Sequence, residues 1–541
     1  MMRLYICFAV FKHDTFMDLS QRALALWAIS LLVGLSPSPA STAQEHTAPS
    51  MHPAASLPTL GEGGDLGISD ERRMGDRIAR EMFRDPDYMD DPILLDYVNS
   101  VWQPLLAAAR LRGDLPPELN DAFAWRILLG RDRSVNAFAL PGGYFGLHLG
   151  LLGVVANRDE LASVLAHELS HVTQRHIARV LDRQKSQTPL MLGAMVLGML
   201  AASKSANVGN ALVVGGQAAV VQSQLNFSRD MEREADRTGW GVMTQAGFAP
   251  QGFVSMFDKL QQSTRLNDNG AYPYLRSHPL TTERIADMQS RLPLGQAISA
   301  PGRDLVHAMM AARARALAQT GPEQLATMVL QARQAEVQTK PLPELVALLY
   351  GAAIAAGQLG DRPQASALLV TLAGYTAQDP AANRQTRFAQ LELALSTNNA
   401  SAAATLAQAL EQGSSAGSDA KAWQRTHTLL QARTQMLLRH ADQAAQTLQL
   451  WLARVGNDAS GWQLLATAQA TQGQTLRAIR AEAEAQVAQL DYSAAADRFR
   501  AAQEWIRKAP DASTIDQIEV AVIDARSRDV RQLLQQQASE R

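Results

Sequence analysis

The stretch Leu165-Ala166-His167-Glu168-Leu169-Ser170-His171 constrains this chain more than any other. It sets two histidines four residues apart, with a carboxylate beside the first. The lead-in, residues 160–166, carries apolar side chains at helical spacing and neither Gly nor Pro, so the motif is expected on a helix. Residues four apart share one helix face, which lets both imidazoles reach a single ion. Such an H-E-x-x-H element is a zinc peptidase signature, with Glu168 placed to take a proton from water that the metal activates. Only 11 of the 541 residues are His, so a chance occurrence of this form is rare.

A catalytic zinc takes three protein ligands and keeps a fourth position open. The extended form of the motif would supply a third His, but Gln174 and Ile177 occupy the positions where that form has Gly and His. His176 is one position off and, on a continuous helix, points elsewhere. The first Glu after His171 is Glu232, in Ser228-Arg229-Asp230-Met231-Glu232-Arg233-Glu234-Ala235-Asp236-Arg237-Thr238-Gly239. This stretch reads as a second helix. Glu232 and Asp236 share a face, and Glu234 lies about 200° away from Glu232. Glu232 is therefore expected as the third ligand to one Zn2+ per chain. Asp236 is expected to join Glu168 in the catalytic set, as the acceptor that fixes the tautomer of one zinc-bound His.

The H-E-L-S-H element and the S-R-D-M-E-R-E-A-D-R-x-G segment together resemble the zinc metallopeptidase family that includes HtpX and the CAAX prenyl endopeptidases, in a form that carries tetratricopeptide repeats. Two more stretches match. Asn136-Ala137-Phe138-Ala139-Leu140-Pro141-Gly142-Gly143 resembles the family's substrate-side strand and turn, and Ser277-His278-Pro279 with Arg284-Ile285 resembles its S-H-P-x-x-x-x-R-I segment. The specific motifs cover about residues 70–295. The resemblance implies that the 271–292 segment returns to the active site. His278 there would either stabilise an oxyanion or fill the fourth metal position as a restraint. The resemblance also implies export to the periplasm and work in the assembly and quality control of outer-membrane β-barrel proteins. Its partners would then be unfolded or misassembled substrates and the barrel assembly machinery.

A chain of this length is too long for one core, and 47% hydrophobic with 19% charged residues is ordinary for globular domains. A net charge of −2 argues against nucleic acid as a partner. Residues 17–43 read as a secretory signal within a leader of 1–43: Arg22 supplies the positive charge, 23–35 the apolar run, and Ser41-Thr42-Ala43 a small-residue cleavage site. The start is then expected at Met17. The lone Cys, Cys7, would be removed, which suits an oxidising compartment. Residues 44–68 read as a disordered linker.

From residue 69 the chain reads as helical, with Ser69 as a cap, Glu71 in the first turn, and Met74, Ile78 and Met82 as a buried stripe. Another helix begins at Pro92. Residues 123–129 and 138–149 alternate like strands of a small sheet, with Pro141-Gly142-Gly143 turning between paired strands. An edge strand formed by Asn136, Ala137, Phe138 and Ala139 would hold an extended peptide through main-chain hydrogen bonds, independent of sequence. Residues 189–202 and 211–221 are apolar but too short to span a bilayer. They read as a helix pair forming a lid or leaning on a membrane surface.

Beyond about 303 the composition shifts to Ala, Gln and Leu. Ala353, Gly360, Ala365 and Leu372 recur as Ala394, Asn398, Ala403 and Leu410. They recur again as Ala432, Arg439, Ala444 and Trp451, then as Ala466, Gly473, Ala478 and Ala485. The expected fold is α+β and mostly α: a zincin-like metallopeptidase domain with a small sheet over 69–298, then an all-α tetratricopeptide solenoid over 303–541. The function expected is zinc endopeptidase. A chaperone or adaptor that works through its repeats with a restrained metal site is the alternative.

Overall fold

Every residue from Glu160 to Thr173 is buried, the paired histidines included, and the elements around this helix are those needed to cover it. The computed structural model describes residues 66–183, 228–265, 271–292, 304–334, 339–413, 421–508 and 516–539. The leader and the Met-rich pair at 189–202 and 211–221 lie outside the described residues. The first elements are α1 (Ile68–Arg84), β1 (Tyr88–Met89), α2 (Pro92–Arg112), α3 (Pro117–Ala122), β2 (Arg126–Gly130), β3 (Ala137–Leu140), β4 (Tyr144–His148) and α4 (Leu149–Val154). The metal-motif helix α5 (Arg158–Thr173) follows, then α6 (His176–Arg183), α7 (Arg229–Gln245), α8 (Gln251–Arg265), α9 (Tyr274–Ser277) and α10 (Thr282–Ser290).

The strands form one mixed sheet in the order β1-β2-β4-β3, with β2 and β4 parallel and the other pairs antiparallel. The apolar run at 138–149 is divided by the Pro141-Gly142-Gly143 turn, where Gly142 and Gly143 take φ of 71° and 78°. Antiparallel pairing sets Phe138 opposite Gly146 and Ala139 opposite Phe145. Ser69 does not cap α1. The helix has already begun at Ile68, with Gly67 at the N-cap, so Ser69 lies inside the first turn. Glu71 is in that turn but buried, and accepts from Arg175 Nε at 3.1 Å.

Side-chain caps fix where the site helices start. Asn157 accepts from Glu160 N at 2.8 Å for α5, Ser228 from Met231 N at 3.3 Å for α7, and Thr281 from Arg284 N at 3.3 Å for α10. Helix α7 lies against α5 at Gly239, where a Cβ would stand 3.1 Å from the backbone of Ala166 and His167. A side chain there would press the two helices apart by a few tenths of an ångström.

The remainder is helical: α11 (Leu305–Leu317), α12 (Pro322–Gln331), α13 (Leu342–Gln358), α14 (Arg362–Thr376), α15 (Pro380–Ser396), α16 (Ala400–Gly413), α17 (Gln424–Leu437), α18 (Ala441–Leu452), α19 (Ala459–Thr471), α20 (Thr475–Ala488), α21 (Tyr492–Lys508) and α22 (Gln517–Ser539). From α13 on, successive helices pack in pairs. The four recurring positions Gly360, Asn398, Arg439 and Gly473 all take left-handed φ, between 53° and 76°, at the bend inside a pair.

Residues 63–541 form one compact unit, and its apolar core does not stop at the 298–303 boundary. One cluster runs from Ile93 and Trp102 through Leu165 to Met309, Tyr350 and Leu430. Polar contacts accompany it. Arg313 donates to Asp91 at 2.7 Å and to Glu392 at 2.8 Å, and Arg425 donates to Asp90 at 2.7 Å and to Asp458 at 2.8 Å. Asp96 accepts from the Thr426 amide at 2.8 Å. His307 donates from Nε2 to Val155 O at 2.9 Å, so its Nδ1 accepts from the Tyr97 hydroxyl at 2.5 Å. Among the described residues no helix is long and apolar enough to cross a membrane.

Candidate metal centre

Three elements bring the site together: α5 with His167 and His171, α7 with Glu232 and Asp236, and the end of α9 with His278. All of these side chains are buried. One donor atom each from His167, His171, Glu232 and His278 falls within a 4.8 Å span. The two imidazole Nε2 atoms are 3.0 Å apart, and each lies 3.5 Å from an oxygen of Glu232. His278 Nδ1 stands 3.3 Å from His167 Nε2 and 3.1 Å from Glu232 Oε1. Donors at about 2.0–2.1 Å from a tetrahedral ion lie roughly 3.4 Å from one another, so this spacing fits a zinc-sized cation.

Lone pairs supply the second test of fit. Imidazole nitrogens and carboxylate oxygens converge here, and Glu168 Oε1 is buried without a hydrogen bond. The nearest cation-forming group to it is His278 Nε2, at 3.4 Å. Arg284 Nη1 comes within 2.7 Å of Glu232 Oε2, but without the alignment of a hydrogen bond. Buried acceptors without donors are costly, and a cation at the centre would satisfy them.

The profile of peptidase family M48 matches residues 108–292. The chain is 35% identical to the beta-barrel assembly-enhancing protease of Escherichia coli (strain K12) over 240 residues, 44% of this chain and 47% of that one. It thus spans about half the length of that relative. Similarity to the beta-barrel assembly-enhancing protease of Yersinia pestis extends further: 30% identity over 436 residues, 79% of this chain and 83% of that protein.

The chain belongs to peptidase family M48.

A mitochondrial relative, metalloendopeptidase OMA1 of Saccharomyces cerevisiae, is 30% identical over 201 residues, 36% of this chain and 55% of that one. The M48 peptidase site has an outer layer. Behind His167, Nδ1 lies 2.9 Å from Asp236 Oδ1, and Arg284 donates to both oxygens of Asp236, at 2.7 and 2.8 Å. Arg284 also donates to Pro279 O at 2.9 Å, tying the His278 loop to α7. Burial alone would push His167 down, yet Asp236 and Glu232 raise it to about 9. Burial and the neighbouring His167 charge hold His171 well below the usual imidazole range. Burial would raise Glu232 and Asp236, but His278 and His167 hold Glu232 well below the carboxylate range and Arg284 lowers Asp236. Burial raises Glu168, and the neighbouring His278 and His167 offset that rise only in part.

Glu168 Oε2 accepts from the Ala139 amide at 3.0 Å. Strand β3 therefore lines the site with its outer edge, and among the described residues the sheet ends on it. Ala137 and Phe138 lie in the strand, and Asn136 precedes it with its carbonyl bonded to His148 N at 3.0 Å.

The resemblance brings the Arg284 segment to the site, but no spacing relation to α7 reveals the pairing of Arg284 with Asp236. His176 was expected to point away, and the structure corrects this. Helix α5 ends at Thr173, and Arg175 takes φ of 51°, which turns the chain before α6 begins. His176 is consequently buried, with Nδ1 2.9 Å from His171 Nδ1 and Nε2 3.1 Å from Glu234 Oε2. Burial lowers it to about 4, so it is neutral. Glu234, on the far side of α7, also accepts from Arg179 at 2.9 Å.

Proposed function

We propose that this M48 metallopeptidase is a zinc-dependent endopeptidase, exported to the periplasm, that hydrolyses misfolded or stalled proteins during outer-membrane β-barrel assembly. The observation that carries the enzymatic part is the convergence of His167, His171 and Glu232 beside a Glu168 that also contacts an edge strand. His167, His171 and Glu232 would hold Zn2+, which supplies Lewis-acid polarisation of the scissile carbonyl and acidification of water. Glu168 takes the proton of the attacking water and returns it to the leaving amine. A client laid along Asn136, Ala137, Phe138 and Ala139 gains main-chain hydrogen bonds whatever its sequence, which suits an enzyme for unfolded chains. Asp236 does not reach the substrate; with Arg284 it orients His167.

The theatre is taken from the relatives named beta-barrel assembly-enhancing protease. The helix pairs after residue 303 would form the tetratricopeptide array that selects clients or the assembly machinery. The test is cleavage of an unfolded protein. It should stop on chelation, return with zinc, and be lost in Glu168→Gln with zinc retained. Cleavage by a zinc-free or Glu168→Gln protein at the original rate would refute the reading.

A second reading, an adaptor with a restrained metal site, is favoured by one observation: His278 Nδ1 lies at the fourth position of the donor cluster. Four protein ligands close a zinc site, whereas catalysis needs one place open. On this reading His278→Ala raises cleavage. Should it abolish cleavage instead, His278 would be an oxyanion stabiliser, and an unchanged rate would reject both roles.

A further inference from the structure

The two zinc-facing histidines are backed differently. His167 meets a carboxylate directly, at Asp236. His171 meets another imidazole, His176, whose far nitrogen meets Glu234. Glu234 sits on the same helix as Glu232 but reaches α6 rather than the metal position, and Arg179 of α6 holds it there.

Hydrogen-bond counting fixes the direction of this chain of contacts. If His171 offers its Nε2 lone pair to a metal, its one proton is on Nδ1. That Nδ1–H must donate across the 2.9 Å contact, so His176 Nδ1 is the acceptor and carries no proton. The His176 proton is then on Nε2 and donates to Glu234 Oε2 at 3.1 Å. Every polar atom on the path is matched, donor to acceptor, in one polarity only. With the opposite polarity His171 would be protonated on Nε2 and could not ligate.

We propose that His176 and Glu234 form a relay that positions His171 and fixes its metal-binding tautomer, doing for the second histidine what Asp236 does for the first. This rests on the zinc reading of the site. The left-handed turn at Arg175 makes it geometrically available, because it lets His176 stand behind His171 five residues later. Arg175 is itself anchored by Glu71 Oε2 at 3.1 Å and by Leu66 O at 2.7 Å, so α1 stabilises the turn that the relay needs. Neither residue touches the substrate; both are positioning residues.

The experiment uses the full chain and measures zinc affinity against graded chelator, with the melting temperature of each zinc-free protein as the control for folding. His176→Phe keeps a ring but removes the acceptor, and should weaken zinc binding about ten- to a hundredfold. His176→Asn returns an acceptor oxygen near the Nδ1 position and should recover most of that loss. The inference is overturned if His176→Phe, melting as the wild type does, binds zinc as tightly, or if His176→Asn is no better than His176→Phe. A measurement on the wild type stands even if the variants do not fold. In zinc-loaded protein carrying 15N-labelled histidine, His171 should show its proton on Nδ1 and His176 on Nε2. A proton on His176 Nδ1 would overturn the relay. A wild-type protein that takes up no zinc would overturn the zinc reading, and this inference with it. Zinc uptake indifferent to His176 would overturn this inference alone.

Discussion

The metal centre and the seam between the peptidase elements and the helical pairs are both clusters of buried and half-buried carboxylates, and they are built on opposite logic. At the seam each acceptor meets a donor: Asp91 and Glu392 meet Arg313, Asp90 and Asp458 meet Arg425, and Asp96 meets the Thr426 amide. At the centre, imidazole nitrogens 3.0 Å apart face each other and a carboxylate, and Glu168 Oε1 makes no hydrogen bond. A cluster that closes its own hydrogen bonds is structural. One that leaves convergent lone pairs is unfinished without a cation, and that difference separates a binding site from a brace more cleanly than burial or charge does.

The largest expected effect tests whether the centre needs its cation-binding carboxylate. Glu232→Gln should lose zinc during purification. Glu234→Gln, whose amide oxygen still accepts from His176, should weaken affinity by less than about tenfold and retain its zinc. Metal analysis of the two proteins decides this. Equal zinc in both would move the ligand away from Glu232 and undo the contrast drawn above.

Next is Glu168→Gln, which should cut proteolysis by about 10²–10⁴-fold while leaving thermal stability unchanged or raised. The raised stability would come from neutralising a carboxylate whose Oε1 is buried without a hydrogen bond. A fall in stability comparable to that of a seam variant would show that Glu168 braces the fold.

The seam supplies the converse. Arg313→Leu leaves Asp91 buried without its cation and should cost about 3–5 kcal/mol, read as a lower denaturant midpoint, with zinc affinity in the folded protein unchanged. The continuous core carries the same implication for shortening the chain. A protein ending near residue 300 removes the Met309, Tyr350 and Leu430 part of the shared core and strips Asp90, Asp91 and Asp96 of Arg425, Arg313 and the Thr426 amide, so it should lose stability before it loses recruitment.

These two regions were unequally legible in the sequence. His167, Glu168 and His171 announce themselves because one helix turn brings them together, and Glu232 with Asp236 follow from the same periodicity. His176 was hidden by the left-handed turn at Arg175, which no Gly or Asn signals. Arg284 reaches Asp236 across 48 residues, and Arg313 reaches Asp91 across 222. No local pattern encodes pairings of that span; they exist only once helices have packed. The small sheet, its turn, and the recurring left-handed positions of the helical pairs were readable because glycine and spacing marked most of them.

The smallest expected effect comes from Asp96, the seam acceptor that pairs with an amide rather than with a cation of its own. Burial pushes Asp96 up to about 7 against the Thr426 amide, with Arg425 and Asp458 the nearest charges. A carboxyl whose folded value exceeds its unfolded value of 3.8 binds its proton more tightly in the native state. Its contribution to stability is therefore fully present below that unfolded value and is lost as pH rises toward 7. Between pH 5 and pH 7 the loss amounts to about 2 kcal/mol. Asp96→Asn keeps an oxygen for the Thr426 amide and has nothing to ionise. The difference in denaturant midpoint between wild type and Asp96→Asn should accordingly shift in favour of the variant as pH is raised across that window. If the difference stays constant from pH 5 to pH 7, Asp96 is ionised throughout, and the seam holds a charged acceptor against a lone amide. The rule that seam acceptors are closed by their donors would then fail at this residue.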